Sequence, residues 1–136
     1  ALRVARENAQ AAGVSDRVRF VQGDWMEPFL PAEVFDLILS NPPYLSEADI
    51  QGLSKEVREY EPILALKGGE DGLEYYRRLI PQVPSYLKRG GWFLVEVGGT
   101  QASHVSQMIE ASGQFQKVEC AKDLSGIDRV VKAQRR

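Results

Sequence analysis

A short, largely apolar run that stops at two consecutive prolines constrains this chain more than any other feature. Residues 35–40 read Phe-Asp-Leu-Ile-Leu-Ser, and Asn41-Pro42-Pro43-Tyr44 follow directly. A run of this kind, without regular alternation, is typical of a strand buried on both faces of a parallel sheet. The strand must end at the prolines, because neither can donate a ladder hydrogen bond. Ligands of open α/β sheets bind at the carboxyl ends of strands, so residues 41–44 are a candidate site.

These four residues offer more hydrogen-bond acceptors than donors. Pro42 and Pro43 have carbonyl oxygens but no N–H groups, and the Asn41 side chain adds another carbonyl. Two such acceptors suit a planar NH₂ group, and Tyr44 offers a flat face on which a planar amide or base can pack. The structural alternative is a strand that ends in a proline-stiffened turn with a capping asparagine. The combination of all four residues directly after a strand favours a binding site.

Asn41-Pro42-Pro43-Tyr44 resembles the signature of S-adenosyl-L-methionine-dependent methyltransferases that modify NH₂ nitrogens. That class includes adenine-N6, RNA and glutamine-N5 enzymes. The segments Glu56–Pro62 and Gly68–Leu73 are more specific, and they resemble the protein-(glutamine-N5) methyltransferase, or HemK/PrmC, family. The resemblance runs from Ala1 to about Val131. It implies N5-methylation of the glutamine in the Gly-Gly-Gln motif of peptide chain release factors, in translation termination.

The resemblance also implies roles for individual residues. We expect Asn41 and Pro42 to be catalytic and residues 41–44 together to bind the substrate. For the cofactor, S-adenosyl-L-methionine, it places Asp24 and Trp25 beside the adenine, and we expect Asn41 to contact the cofactor as well. A turn residue and a core residue are the structural alternatives for Asp24 and Trp25. No metal is implied.

The fold that the resemblance implies is α/β, a Rossmann-like class I methyltransferase fold with a mostly parallel sheet and an antiparallel C-terminal hairpin. The residue patterns agree with alternating elements. They predict helices from Leu2 to Ala12, from Ser46, from Asp71 to Leu87 with a bend near Pro81, and around Val105–Ile109, and strands at residues 17–22, 35–40, 92–97, 115–121 and 129–133. The last two strands are so close in sequence that they must pair antiparallel.

A strand followed by the Gly-rich loop that this fold uses to approach its cofactor is missing from the sequence. We therefore expect residues 1–136 to be the C-terminal portion of one catalytic domain that lacks its first two strands and is itself inactive. In the strand order 3-2-1-4-5-7-6 the strands around Val18 and Phe35 would then have open edges. Open edges favour self-association.

Composition excludes several other classes. A net charge of −2 gives no overall attraction to nucleic acid, and one cysteine with one histidine excludes a disulfide framework or a Cys/His zinc cluster. No apolar run approaches the ~20 residues of a membrane span. No signal-peptide pattern opens the chain, which makes a cytoplasmic location the default. A nucleic-acid amino-methyltransferase (adenine N6 or guanine N2) and a non-catalytic remnant of the fold are the alternative functions.

Overall fold

The computed structural model describes the backbone of residues 1–136 and every side chain except those of residues 56, 58 and 59. The chain divides into two compact units, residues 1–30 and residues 31–136. The first contains helix α1, and the second contains a four-stranded sheet with the other helices.

Helix α1 spans Leu2–Ala11, close to its predicted bounds, and Ala9 is its buried residue. Gly13 ends it as expected, with a φ of +67° that glycine adopts without the strain of a side chain. The strand predicted at residues 17–22 does not form, and that prediction is wrong. Val18 and Phe20 are half-buried between exposed neighbours, so the alternation is real. Alternation alone supplies no partner for ladder hydrogen bonds, however, and without a partner there is no strand.

The second unit has a mixed sheet with strand order β1-β2-β4-β3. The strands are β1 Phe35–Ser40, β2 Leu87–Glu96, β3 Phe115–Lys122 and β4 Asp128–Arg135. The α-helices are α2 Glu47–Gln51, α3 Lys55–Tyr60, α4 Glu74–Leu79 and α5 Ala102–Ala111, with 3₁₀ turns at Ile63–Ala65 and Val83–Ser85.

The pairing of the strands agrees with part of a class I methyltransferase fold. Strands β1 and β2 are parallel, whereas β2–β4 and β3–β4 are antiparallel. The antiparallel closing hairpin is thus confirmed. One pair in this sheet is parallel and two are antiparallel, so the described sheet is mixed rather than mostly parallel.

The core lies on one face of the sheet, against α4, the turn after it and α5. Its fully buried side chains include Tyr76, Val83, Phe93, Val95, Val105, Ile109 and Val131. Strand β1 is an edge strand, and Leu37 and Leu39 on its other face are 50% and 67% exposed. The expectation that this strand is buried on both faces is therefore wrong for the described chain. Successive side chains of a strand point to opposite faces, and only one face of β1 is covered.

The helix predicted from Asp71 to Leu87 is much shorter. It is N-capped at Leu73 and ends at Leu79, because the proline at 81 cannot continue its hydrogen bonding. Asp71 instead accepts a hydrogen bond from the Leu73 N–H at 3.0 Å. Strand β2 consequently begins at Leu87, five residues earlier than predicted.

The predicted helix start at Ser46 is confirmed by a capping box, in which Ser46 and Asp49 satisfy each other's backbone N–H groups. In the charged segment that follows, the side chains of residues 56, 58 and 59 lie outside the described residues. Within the described part of the chain, no helix has the length and apolar character needed to cross a membrane.

Candidate active site

Residues 41–44, here called the acceptor segment, follow β1 directly and form no regular element. Asn41 is exposed, Pro42 is buried, and Pro43 and Tyr44 are half-buried. Strand β1 ends here because the two prolines have no N–H to continue its pairing with β2. The segment therefore lies at the carboxyl end of a parallel strand, as predicted.

The acceptor segment forms one wall of a pocket of about 170 Å³. All four of its residues line the pocket, together with Leu45, Ala65 and Leu66. Backbone hydrogen bonds hold the walls together: the Leu45 N–H donates to the Leu66 carbonyl at 2.9 Å, and the Gly68 N–H donates to the Leu45 carbonyl at 2.8 Å. The four residues predicted for substrate binding thus line one small cavity.

The Asn41 side chain has a free amide. Among the residues that the structure describes, none forms a hydrogen bond with it, and the residue is exposed. A side chain that capped the strand end would be bonded to the backbone there. The capping alternative is thus not supported, and the amide is available to a ligand.

Tyr44 is fixed by a residue that the sequence did not single out. Its hydroxyl donates to the Glu96 Oε1 at 3.1 Å. Burial is the main reason that the pKa of Tyr44 is raised above its ordinary value, and the hydrogen bond to Glu96 is the second. The phenol is therefore a neutral donor at physiological pH. Glu96 is the last residue of β2. An acidic residue at the carboxyl end of the strand beside β1 is the sequence signal by which this residue could have been found.

A second set of residues that was not predicted lies behind the acceptor segment. The Gln101 side chain donates to the carbonyl of Tyr44 and to that of Gly72. The Gly98 N–H donates to the Gln101 Oε1, and the Tyr76 hydroxyl donates to the backbone carbonyl of Glu96, so both residues belong to the same network. Of the residues behind the acceptor segment, Gly72 alone lies in a stretch that carries the family resemblance, Gly68–Leu73.

Asp24 and Trp25 lie in the first unit, whereas Asn41 lies in the second. Asp24 is exposed and Trp25 is half-buried, with a φ of +52°. A positive φ is rare for a bulky side chain. Their role at a cofactor stays a prediction.

The parallel β1–β2 pair, the antiparallel hairpin and the acceptor segment at the strand end define the class: part of a class I methyltransferase fold. A solved structure supports the fold. The crystal structure of TrmN from Thermus thermophilus matches 99% of this chain and 33% of its own, with a TM-score of 0.59 and 20% identity. The family model described as RMKL-like, methyltransferase domain, matches residues 1–57.

Closer relatives in sequence are release factor glutamine methyltransferases. That of Clostridium acetobutylicum is 44% identical over 136 residues, which are 99% of this chain and 47% of the relative. That of Geobacter sulfurreducens is 48% identical over 131 residues, or 96% and 45%. The chain is similar to these relatives over nearly its whole length, and it spans about half the length of the curated relatives that it matches.

Proposed function

We propose that the complete gene product carrying this chain methylates the side-chain N5 of a glutamine in the Gly-Gly-Gln motif of a peptide chain release factor. The names of the relatives support the substrate. The observation that carries the proposal is the acceptor segment, which lines a small pocket at the carboxyl end of β1 with Asn41 exposed and free.

The pocket chemistry suits a primary amide. A glutamine NH₂ carries two protons, and the Asn41 Oδ1 and the Pro42 carbonyl are two acceptors on neighbouring residues. Held by both, the amide nitrogen is oriented towards the methyl group that it attacks. As the bond between nitrogen and carbon forms, positive charge develops on nitrogen, and both oxygens stabilise it. The proton that nitrogen then loses passes to solvent, so no dedicated general base is needed.

The methyl donor in this proposal is S-adenosyl-L-methionine. When bound, it supplies an electrophilic methyl group and keeps the electron pair of the broken carbon–sulfur bond. The free Asn41 amide fits a polar part of such a ligand. Asp24 and Trp25 are proposed to lie at its adenine, and the positive φ of Trp25 supports this because backbone strain concentrates at functional sites.

The 136-residue chain alone is proposed to be inactive, as part of one catalytic domain. Among the described residues, no strand with a Gly-rich loop behind it precedes the acceptor segment, which is where this fold has its cofactor loop; the glycine pair Gly98-Gly99 follows β2, farther along the chain.

Methyl transfer by the complete gene product tests the proposal. A release factor with Gly-Gly-Gln should be methylated, whereas the same factor with Gly-Gly-Glu, double-stranded DNA and RNA should not. Methylation of DNA or RNA in place of the release factor would favour the nucleic-acid alternative. Transfer to none of them would contradict the proposal.

A further inference from the structure

The peptide group between Tyr44 and Leu45 is bound on both sides. Its N–H donates to the Leu66 carbonyl at 2.9 Å, and its carbonyl accepts from the Gln101 Nε2 at 2.9 Å. Such anchors matter here because Pro42 and Pro43, just before this group, have no N–H with which to fix their own backbone.

The Gln101 amide is held in one orientation. Its Nε2 also donates to the Gly72 carbonyl at 3.3 Å, and its Oε1 accepts from the Gly98 N–H at 3.0 Å. Turned over, the amide would set its oxygen against two carbonyls and its NH₂ against an N–H group. Although Gln101 is the N-cap residue of α5, its side chain makes no capping bond. The side chain instead joins three separate segments of the chain.

Two glycines allow these segments to approach one another. A Cβ on Gly72, which has a φ of +75°, would overlap the Tyr44 carbonyl oxygen and the Gln101 amide. A Cβ on Gly68 would lie 2.8 Å from the Tyr44 Cα. Both distances are shorter than non-bonded atoms tolerate. The backbone at Gly68 and Gly72 can therefore pack against the acceptor segment only because these two residues have no side chain.

We infer that Gln101 is a positioning residue for methyl transfer, which holds the Tyr44 carbonyl and thereby fixes where Asn41 and Pro42 present their acceptors. The inference rests on the proposed function. Its physical basis is that a shift of about 1 Å in a positioned group can lower a rate ~100-fold. Gln101 acts through the backbone of the acceptor segment, without touching the substrate.

The first test is independent of catalysis. In the complete gene product, Gln101→Met removes the hydrogen bond to the Tyr44 carbonyl, which belongs to the same peptide group as the Leu45 N–H. Hydrogen exchange at the Leu45 amide should therefore become at least about tenfold faster. Amides in the centre of β2 should keep their rates. The matched control is Gln107→Met on the same helix, where the exposed side chain donates only to the Ser103 Oγ. Unchanged exchange at Leu45 would overturn the inference.

The second test uses the pH profile of Gln101→Glu, which keeps the acceptor for Gly98. Its carboxylate would face two carbonyls, whereas its protonated form regains one donor for the Tyr44 carbonyl. The titratable and charged groups around this position are Glu96, Tyr44, Tyr76, Asp49 and Arg129.

The turnover of Gln101→Glu relative to the parent protein should therefore rise about tenfold between roughly pH 8 and pH 6. The same ratio for Gln101→Met should stay low and flat, because that side chain does not titrate. A flat ratio for Gln101→Glu would contradict the positioning role. A parent protein without methyl transfer would contradict the proposed function instead, and the exchange at Leu45 would still decide the inference.

Discussion

At the scale of single residues, the acceptor segment owes its hydrogen-bond acceptors to residues that are adjacent in sequence. Two prolines remove N–H groups wherever they stand, and an asparagine before them is kept extended. Glu96 and Gln101 were missed because they act through contacts with Tyr44 that are distant in sequence. A carboxylate and an amide in such positions look like ordinary polar residues until the strands are paired.

Tyr44→Phe tests whether the bond to Glu96 fixes the ring. The variant keeps the flat face and loses the hydroxyl donor, so the free energy of unfolding should fall by about 1 kcal/mol at neutral pH. The folded-state pKa of Tyr44 is raised. Folding therefore favours the neutral phenol, and this contribution is complete below the ordinary pKa near 10 and lost as pH rises through the raised value.

Unfolding by urea at several pH values measures this difference between the two proteins. It should be constant around neutrality and shrink above about pH 10. A difference that is zero at pH 7 would show that the contact with Glu96 contributes nothing.

Trp25 and Tyr44 are expected to have separate tasks. In the complete gene product, Trp25→Ala should weaken binding of S-adenosyl-L-methionine about tenfold, as expected for the loss of one stacked ring. Tyr44→Ala should leave that affinity nearly unchanged, since Tyr44 lines the acceptor pocket. Isothermal titration of the cofactor into both variants measures this, and equal losses would contradict the division.

At the scale of the elements, prediction succeeded where the signal lies within the element. Helix α1 with Gly13 behind it, the capping box at Ser46 and the closing hairpin all follow from neighbouring residues. Prediction failed where the structure of a segment depends on a partner that is distant in sequence. Residues 17–22 alternate but have no strand to pair with, and the burial of β1 depends on what covers its second face.

The open edge of β1, together with its uncovered face, makes self-association of the 136-residue chain an element-level prediction. Leu39, 67% exposed on this edge strand, is the apolar group that a second copy would cover. Leu39→Lys should lower the associated fraction, because charge at an exposed strand edge opposes pairing. Analytical ultracentrifugation measures it, with Leu124→Lys, a fully exposed leucine between β3 and β4, as the control. Equal association of both variants and the parent chain would contradict the prediction.

At the scale of the whole molecule, the chain matches only about half the length of its relatives. We expect the purified 136-residue chain to bind S-adenosyl-L-methionine weakly or not at all, since among its described residues no strand with a Gly-rich loop behind it precedes the acceptor segment. Calorimetry on the chain, with its mass verified, tests this. Micromolar binding by a monomer of that mass would contradict the expectation.

The central claim is that Asn41 holds the substrate amide for methyl transfer. Its most direct test is the single-turnover rate of methyl transfer to a Gly-Gly-Gln release factor by the complete gene product. Asn41→Ala should lower this rate by roughly 100-fold or more, as expected when an oriented transition-state hydrogen bond is lost. Asn8→Ala, on the exposed surface of α1, should leave the rate unchanged. A near-normal rate for Asn41→Ala would contradict the claim.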